Sequence, residues 1–176
     1  MPPILRSPRL VLRPWRDEDL APFAHLNSDP EVMAWFPGLL DRAASDQLAY
    51  RIRTDLAQRG YGLWAVQRRD DPSFMGFVGL KDVPDTLPFA PAIEVGWRLI
   101  RSAWGQGLAT EAAQEVVRFG FEELNLNTIV SFTVPENQAS IRVMRKLGMK
   151  KEGHFEHPNL PPGHPLRQHV LYRLRP

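Results

Sequence analysis

A glycine-punctuated turn near the middle of the chain could bind a phosphate group. Gly105 and Gly107 follow an apolar, strand-like segment and precede a helical pattern. Glycine lacks a Cβ, so the backbone at these two positions can adopt positive φ and approach a bulky anion closely. The first N–H groups of the following helix lack internal partners, and the helix dipole favours negative charge at that end. The turn could therefore bind phosphate or pyrophosphate through its backbone, and an ordinary strand-to-helix turn is the alternative interpretation.

Two familiar phosphate-binding motifs do not match this turn. A P-loop requires Gly followed by Lys and then by Ser or Thr, and no Lys follows a Gly anywhere in the chain. The dinucleotide fingerprint requires a third glycine three residues after Gly107, where Thr110 stands instead. The turn is therefore neither a nucleoside-triphosphate loop nor a dinucleotide loop.

The segments around the turn predict one mixed α/β domain with a central sheet. Alternating or β-branched patterns predict strands over residues 9–14, 62–67, 74–81, 92–100, 128–134 and 169–174. Helices are expected from residue 17, over 31–36, from 41 or 45 to 59, after the glycine turn, and after Asn137. Asn137 is expected to cap the last helix and Gly148 to end it. Residues 82–91 and 152–165 are expected to be loops, the first of them exposed.

The composition excludes several classes of protein. A length of 176 residues suits one domain, and a net charge of +2 is too small to imply nucleic-acid binding. The absence of cysteine excludes disulfides, a thiolate nucleophile and Cys-based zinc sites. His154, His157, His164 and His169 lack a helical metal-ligand spacing, so no metal is expected, and a substrate-contacting loop or plain turns are the alternatives. With no long apolar run, a cytoplasmic protein without membrane association is expected.

The glycine turn also resembles a known family motif. The run Trp104, Gly105, Gln106, Gly107, Leu108, Ala109 is similar to the acyl-CoA pyrophosphate loop Gln/Arg-x-x-Gly-x-Gly/Ala of the GNAT N-acetyltransferases, except for Trp at its first position. Continued through Thr110, Glu111 and Ala112, it resembles the RimJ/RimL branch that acetylates ribosomal proteins. The resemblance implies a single GNAT-like domain over residues 1–176. Its sheet would be twisted and mixed, with about six to seven strands flanked by helices and splayed between the two central strands.

The resemblance also implies which residues bind acetyl-CoA. The pantetheine arm would hydrogen-bond in the splayed gap like an added strand, against the backbone of Trp97 and Leu99. The pyrophosphate would contact the amides of Trp104, Gly105, Gln106, Gly107, Leu108, Ala109 and Thr110. Asn137 corresponds to the family asparagine near the CoA arm, and its side chain could both cap the helix and face the ligand.

Acetyl transfer to an amine requires a group that accepts the amine proton and one that protonates the leaving thiolate. Glu94, the only carboxylate in its strand, is the candidate base, and an exposed sheet carboxylate is the alternative. Many relatives have, where this chain has Met144, a Tyr that acts as the general acid. Ser140 is therefore the candidate acid here, and Tyr172 is a weaker candidate. Gly96 suggests a β-bulge that would turn an N–H toward the thioester carbonyl as an oxyanion donor.

The predicted function is direct transfer of acetyl from acetyl-CoA to a primary amine in a ternary complex, since no cysteine is available for an acyl intermediate. The acceptor would be a protein N-terminus or a small-molecule amine, and a homodimer is a base-rate expectation. Suggested acceptor-side residues are Trp35, Phe36, Tyr61, Trp64, Glu156 and His157. An acyl-CoA-binding module without activity and an interaction protein that uses the fold as a scaffold are the alternatives.

Overall fold

The computed structural model describes residues 1–176, and its central feature is one eight-stranded sheet with the order β1-β2-β3-β4-β5-β6-β8-β7. The strands are β1 (Leu5–Arg6), β2 (Leu10–Arg13), β3 (Leu63–Arg68), β4 (Gly76–Asp82), β5 (Ile93–Leu99), β6 (Ile129–Thr133), β7 (Lys150–Glu156) and β8 (Gln168–Leu174). The helices are α1 (Leu20–Asn27), α2 (Arg42–Arg59), α3 (Leu108–Glu122) and α4 (Gln138–Lys146). The predicted mixed α/β architecture is confirmed, with eight strands instead of six to seven because β1 and β7 add to the expected set.

Helix ends follow the local capping chemistry. The Asp41 side chain accepts the N–H of Ala44 at the start of α2, and Gly60 ends this helix with φ of 74°. Asn137 caps α4, and Gly148 follows its end with φ of 84°. The caps predicted at Asn137 and Gly148 are confirmed, and α2 begins after Asp41, the first of the two starts considered for it. None of the four helices combines the length and the apolar composition needed to cross a membrane.

Three of the expected elements differ from the structure. Residues 31–36 form turns instead of a helix, since only isolated turn hydrogen bonds occur there. Residues 150–156 form β7 because they pair with β8 through a register shift between Lys151 and Gly153. The loop 82–91 is irregular but not fully exposed, because two of its own residues, Val83 and Leu87, are buried in a cluster with Val130 and Leu171.

The two faces of the sheet pack against different helices. On one face Trp64 packs edge-on against Phe119 of α3, at a ring distance of 5.5 Å. On the other face Phe77 of β4 packs against Phe23 of α1 at 6.1 Å. Because alternate residues of a strand point to opposite faces, each strand of the sheet contributes to both packing layers. Side chains of β5 therefore divide between the α3/α4 face and the α1/α2 face.

The central strands β5 and β6 separate almost as soon as they meet. They are the only parallel neighbours in the sheet, and their register consists of the single pair Glu94 and Val130. By contrast, β4 and β5 pair without interruption over seven residues. The two strands therefore leave an open edge on β5 beyond Glu94, which confirms the expected splay. This gap between β5 and β6 is called the notch below.

We expect that substitution of Gly79 by alanine destabilises the protein by about 1–3 kcal/mol, the range for overpacking. An added Cβ at Gly79 would stand 1.9 Å from the carbonyl oxygen of Gly62, so the backbone of β3 or β4 must move. Urea unfolding measures the effect. Gly38→Ala is the matched control, since its Cβ would meet nothing within 4 Å. Equal stability of the two variants would contradict this account of the close contact.

Candidate active site

The glycine loop, residues 104–110, leaves a run of backbone donors without partners. Gly105 and Gly107 have φ of 71° and 74°, the left-handed conformation that favours glycine. None of the six N–H groups of residues 105–110 donates a hydrogen bond to another part of the chain, and the first bond of α3 runs from the Glu111 N–H to the Gly107 carbonyl at 3.0 Å. Such a run at a helix N-terminus is an anion-binding arrangement.

The Trp104 amide is not part of this run. Its N–H donates to the Arg101 carbonyl at 3.0 Å, so the predicted contribution of this amide to pyrophosphate binding is not available. The Trp104 indole N–H instead donates to the Leu99 carbonyl at 2.9 Å. The tryptophan that departs from the family consensus therefore closes the loop back onto the end of β5. It also takes up one of the two lone pairs of the Leu99 carbonyl.

A second set of contacts holds the loop from the side of β2. Glu111 accepts the Ser7 hydroxyl at 2.6 Å, the Arg9 backbone N–H at 2.8 Å and Arg9 Nε at 2.6 Å. Arg9 Nη1 also donates to the Gln106 carbonyl at 3.0 Å. Burial opposes ionisation of Glu111, but these donors outweigh it and lower the pKa of the carboxyl. Sequence reasoning missed this support because Arg9 and Glu111 are 102 residues apart.

The notch exposes backbone groups of β5. The Ser131 hydroxyl of β6 donates to the Val95 carbonyl at 3.0 Å, so that carbonyl faces the β6 side. Alternate residues of a strand direct their backbone groups to the same edge. Trp97 and Leu99 therefore face the notch, beyond the last residue pair with β6. This is the edge on which an extended ligand could add as a strand.

Ser140 stands at the α4 side of β5 with its oxygen already engaged. Its Oγ accepts the Trp97 indole N–H at 3.2 Å and Asn137 Nδ2 at 3.1 Å. An indole N–H and an amide NH2 can only donate. The hydroxyl proton of Ser140 is therefore free to be donated to a third group. The indole of Trp97, for which the sequence suggested only a backbone role, thus orients Ser140.

Asn137 caps α4 as predicted and also contacts Ser140. Its Oδ1 accepts the Ser140 N–H at 3.3 Å, and its Nδ2 donates to Thr133 Oγ1 at 3.0 Å and to Ser140 Oγ. Both protons of the amide are used within the protein. Asn137 Oδ1 accepts one hydrogen bond and keeps a second lone pair, so a contact of this oxygen with the CoA arm stays a prediction.

Glu94 lies on the opposite face of β5 and is buried, with 7% of its surface exposed. Its Oε2 has no hydrogen-bond partner of good geometry, although Lys81 Nζ lies 3.3 Å away. Burial raises the pKa of Glu94, and the Lys81 charge offsets part of this rise. The alternative of an exposed sheet carboxylate is wrong, and the arrangement favours a carboxylate that takes up a proton easily.

The predicted bulge at Gly96 does not occur. The register from Gly76–Leu99 to Asp82–Ile93 is continuous, with Gly96 directly opposite Gly79. An added Cβ at Gly96 would meet only Glu94 Oε1, at 3.9 Å. The backbone here is open because no side chain covers it, not because the strand is bulged.

The C-terminal histidines divide between two strands and the turns that join them. His154 lies in β7 and His169 in β8, whereas His157 and His164 lie in the turns. The rings of His157 and His169 are 5.1 Å apart, and burial lowers the pKa of both. No group of three or more His, Cys, Asp or Glu side chains in the chain is arranged to hold a metal ion.

The suggested acceptor-side residues separate clearly. Trp64 is fully buried in the core and donates its indole N–H to the Pro3 carbonyl, so its assignment to an acceptor cleft is wrong. Trp35 and Phe36 are 37% and 41% exposed. Tyr61 is partly buried and packs against the Arg59 guanidinium. Tyr172, the weaker candidate acid, is buried in the terminal strand.

Comparison with known proteins identifies the fold and its chemistry. Residues 9–150 match the acetyltransferase (GNAT) domain family. The chain is 32% identical over 154 residues to the uncharacterized N-acetyltransferase YoaA of Bacillus subtilis (strain 168), covering 86% of this chain and 85% of that one. The acetyltransferase (GNAT family) structure from Bacillus anthracis has a TM-score of 0.83 at 24% identity and covers 98% of both chains.

A coenzyme A complex is also among the similar structures. The ribosomal L7/L12 α-N-protein acetyltransferase RimL, solved with coenzyme A, has a TM-score of 0.78 at 18% identity and again covers 98% of both chains. At that identity the likeness concerns the fold alone. The family match over most of the chain is decisive: the protein belongs to the GNAT acetyltransferases.

We expect Glu94→Gln to gain stability relative to the wild type as the pH rises from about 4 to 8. Burial raises the folded-state pKa of Glu94 above its ordinary value of 4.5. The stability of the wild type is therefore highest below the unfolded pKa and falls as the pH rises through the folded one, whereas glutamine does not titrate. Urea unfolding at several pH values measures the difference, and a difference independent of pH would contradict the assignment.

Proposed function

We propose that the protein transfers an acetyl group directly from acetyl-CoA to a primary amine while both substrates are bound. The observation that carries this proposal is the unpartnered N–H run of residues 105–110 at the mouth of the notch. Six donors that converge on one end of α3 suit the pyrophosphate of CoA. The open edge of β5 at Trp97 and Leu99 suits the amide groups of the pantetheine arm.

The two candidate proton-transfer groups lie on opposite faces of β5. Acetyl-CoA, when bound, supplies a thioester whose acetyl carbon is open to attack by an amine. Glu94 faces the α1/α2 side and takes the proton that the amine loses as its new bond to carbon forms. Ser140 faces the α4 side and gives its proton to the sulfur as the carbon–sulfur bond breaks, after which water returns a proton to Ser140 and takes one from Glu94. The division of roles follows from the donors that already fill the Ser140 oxygen.

A direct mechanism is favoured because the chain has no cysteine to carry an acyl intermediate. The amide backbone around Gly96 is uncovered on the Glu94 face, so an acceptor amine can reach the sheet there. RimL-like acetylation of a protein N-terminus remains one form of this activity, and a small-molecule amine is the other.

The activity is tested by following CoA release from acetyl-CoA with a panel of primary amines and N-terminal peptides, together with calorimetry of acetyl-CoA binding. Micromolar binding with turnover of at least one amine would support the proposal. Binding without turnover of any acceptor would instead indicate an acyl-CoA-binding module. Absence of acetyl-CoA binding would overturn the proposal altogether.

We expect Ala109→Pro to weaken acetyl-CoA binding about tenfold or more. Proline in the first turn of a helix removes an N–H that has no internal partner, so the cost to folding is small. A hydrogen bond to a charged group contributes about 1.5–3 kcal/mol, and 1.4 kcal/mol corresponds to tenfold in Kd. Ala109→Gly is the control, since it keeps the N–H. Equal Kd values for the two variants would show that this amide does not contact the cofactor.

We expect Ser140→Ala and Glu94→Gln each to lower kcat by about 10²- to 10⁴-fold, the usual range for loss of a positioned acid or base. The Kd for acetyl-CoA should change little in either variant. Trp97→Phe removes one donor to Ser140 and should lower kcat less than Ser140→Ala does. Steady-state kinetics, with a thiol reagent to detect the CoA released, would measure these values. An unchanged kcat in Ser140→Ala would show that Ser140 takes no part in the mechanism.

A further inference from the structure

A pocket beside α2 opens toward the α1/α2 face of the sheet. Its volume is about 520 Å³. The apolar part of its wall includes Met33, Phe36, Leu39 and Leu48. Two arginines, Arg51 and Arg98, also line the pocket. We call this space the arginine pocket. A mostly apolar pocket with a few polar groups is the usual form of a small-molecule site.

Arg98 lines this pocket without a carboxylate partner. Its Nη1 donates to Asn27 Oδ1 at 2.7 Å, whereas its Nε is buried and has no hydrogen-bond partner. The guanidinium carbon lies 4.3 Å from the ring centre of Phe36 and 5.2 Å from that of Phe77. Burial lowers the pKa of Arg98 to about 10, so the side chain keeps its charge at neutral pH.

Arg13, the one fully buried arginine of the chain, shows how such a charge is accommodated. Arg13 forms a bidentate pair with Asp19, with distances of 2.8 and 2.9 Å. A buried charge is stable when it is paired and costly when it is not. Arg98, by contrast, has the neutral amide of Asn27 as its side-chain hydrogen-bond partner, which leaves its charge available to an anion.

Arg51 adds a second unpaired positive charge at the rim. Its neighbours on α2 are occupied, since Arg42 pairs with Asp46 and Arg53 pairs with Asp17. Arg51 is exposed and takes part in no ion pair or side-chain hydrogen bond. The arginine pocket thus has a positive rim as well as a positive wall, which favours entry of an anion over a cation.

The wall of the arginine pocket formed by Arg98 lies on the same face of β5 as the candidate base. Glu94, Gly96 and Arg98 alternate along β5 and face the same side of the sheet. At about 3.3 Å per residue, the Cα atoms of Glu94 and Arg98 are about 13 Å apart. Gly96 between them carries no side chain and is uncovered. One small molecule can therefore contact Arg98 while its amine lies on the bare backbone near Glu94.

We propose that the acceptor is a small primary amine that also bears a carboxylate and an apolar side group, as in an α-amino acid, and that Arg98 binds its carboxylate. This inference rests on the proposed acetyl transfer and names the substrate class for it. The planar guanidinium pairs with a carboxylate through charge-assisted hydrogen bonds, and Nη2, which has no partner and is not buried, supplies the first of them. The apolar wall receives the side group. Polyamines are disfavoured because both arginines repel them.

The test compares acids with their own uncharged amides. L-Leucine, L-methionine and L-phenylalanine are assayed beside the three matching carboxamides, with spermidine and an amidated peptide as other amines. The wild type should acetylate at least one acid with kcat/KM tenfold or more above that of its amide. In Arg98→Gln this preference should fall below about threefold, while the Kd for acetyl-CoA stays unchanged.

Two further variants serve as controls for this comparison of acids with amides. Arg53→Gln removes a paired arginine from the same helix and should keep the full preference for the acid. Arg98→Lys keeps the charge without the planar fork, so it should show an intermediate preference, and it replaces Arg98→Gln if that variant does not fold. A preference that survives in every Arg98 variant, or a wild type that favours the amide, spermidine or the peptide, would overturn the proposal.

Failure of acetyl transfer itself is distinguished by binding. Calorimetry of the CoA-loaded protein with each acid and amide does not depend on turnover. Binding of an acid but not its amide, lost in Arg98→Gln, would support the carboxylate site even if no amine is acetylated. Equal binding of acid and amide, or binding of neither, would overturn the site whether or not acetyl-CoA binds.

Discussion

The separation of β5 from β6 after one residue pair is the constraint on which the rest of the site depends. A strand edge in the middle of a sheet leaves backbone donors and acceptors that need partners. Ser131 satisfies the first carbonyl of this edge, that of Val95, and the positions beyond it are left for a ligand. The same separation places α3 and α4 on one side of the opening and Glu94 on the other. A fully paired sheet would join these two sides and leave no route between them.

Polar contacts of long sequence separation hold the rims of this opening. On the α3 side, Arg9 and Ser7 bind Glu111 and fix the glycine loop from the edge of β2. On the α4 side, Trp97 donates to Ser140 from 43 residues away, beside the local hydrogen bond from Asn137. Each contact fixes a group whose orientation matters for a backbone anion site or for proton transfer. The GNAT fold supplies the opening, and these side chains decide what its rims present.

Two of the three buried side-chain atoms without hydrogen-bond partners lie on the α1/α2 face of β5, and the third, Arg167 Nε, lies in the turn before β8. Arg13 and Asp19 show that this chain can bury a charge with complete pairing. Glu94 Oε2 and Arg98 Nε, by contrast, are buried without hydrogen-bond partners. The two residues are four apart in β5 and point to the same face, where only Gly96 lies between them. Unsatisfied buried groups cost stability and call for an explanation. Their position beside an uncovered stretch of backbone points to substrate contact as that explanation.

The sequence by itself determined the elements whose signals are local. Asp41, Gly60, Asn137 and Gly148 marked helix ends, and the two glycines of the loop marked its backbone conformation, because capping and positive φ depend on neighbouring residues. The motif also pointed to the GNAT family. Only the tertiary structure decided that Trp64 is core, that Trp97 orients Ser140, that Gly96 lies in a regular strand, and that Arg98 has no carboxylate partner. Those outcomes depend on which distant residues come into contact in the folded sheet. Hydrophobic pattern and residue spacing are local and do not determine such contacts.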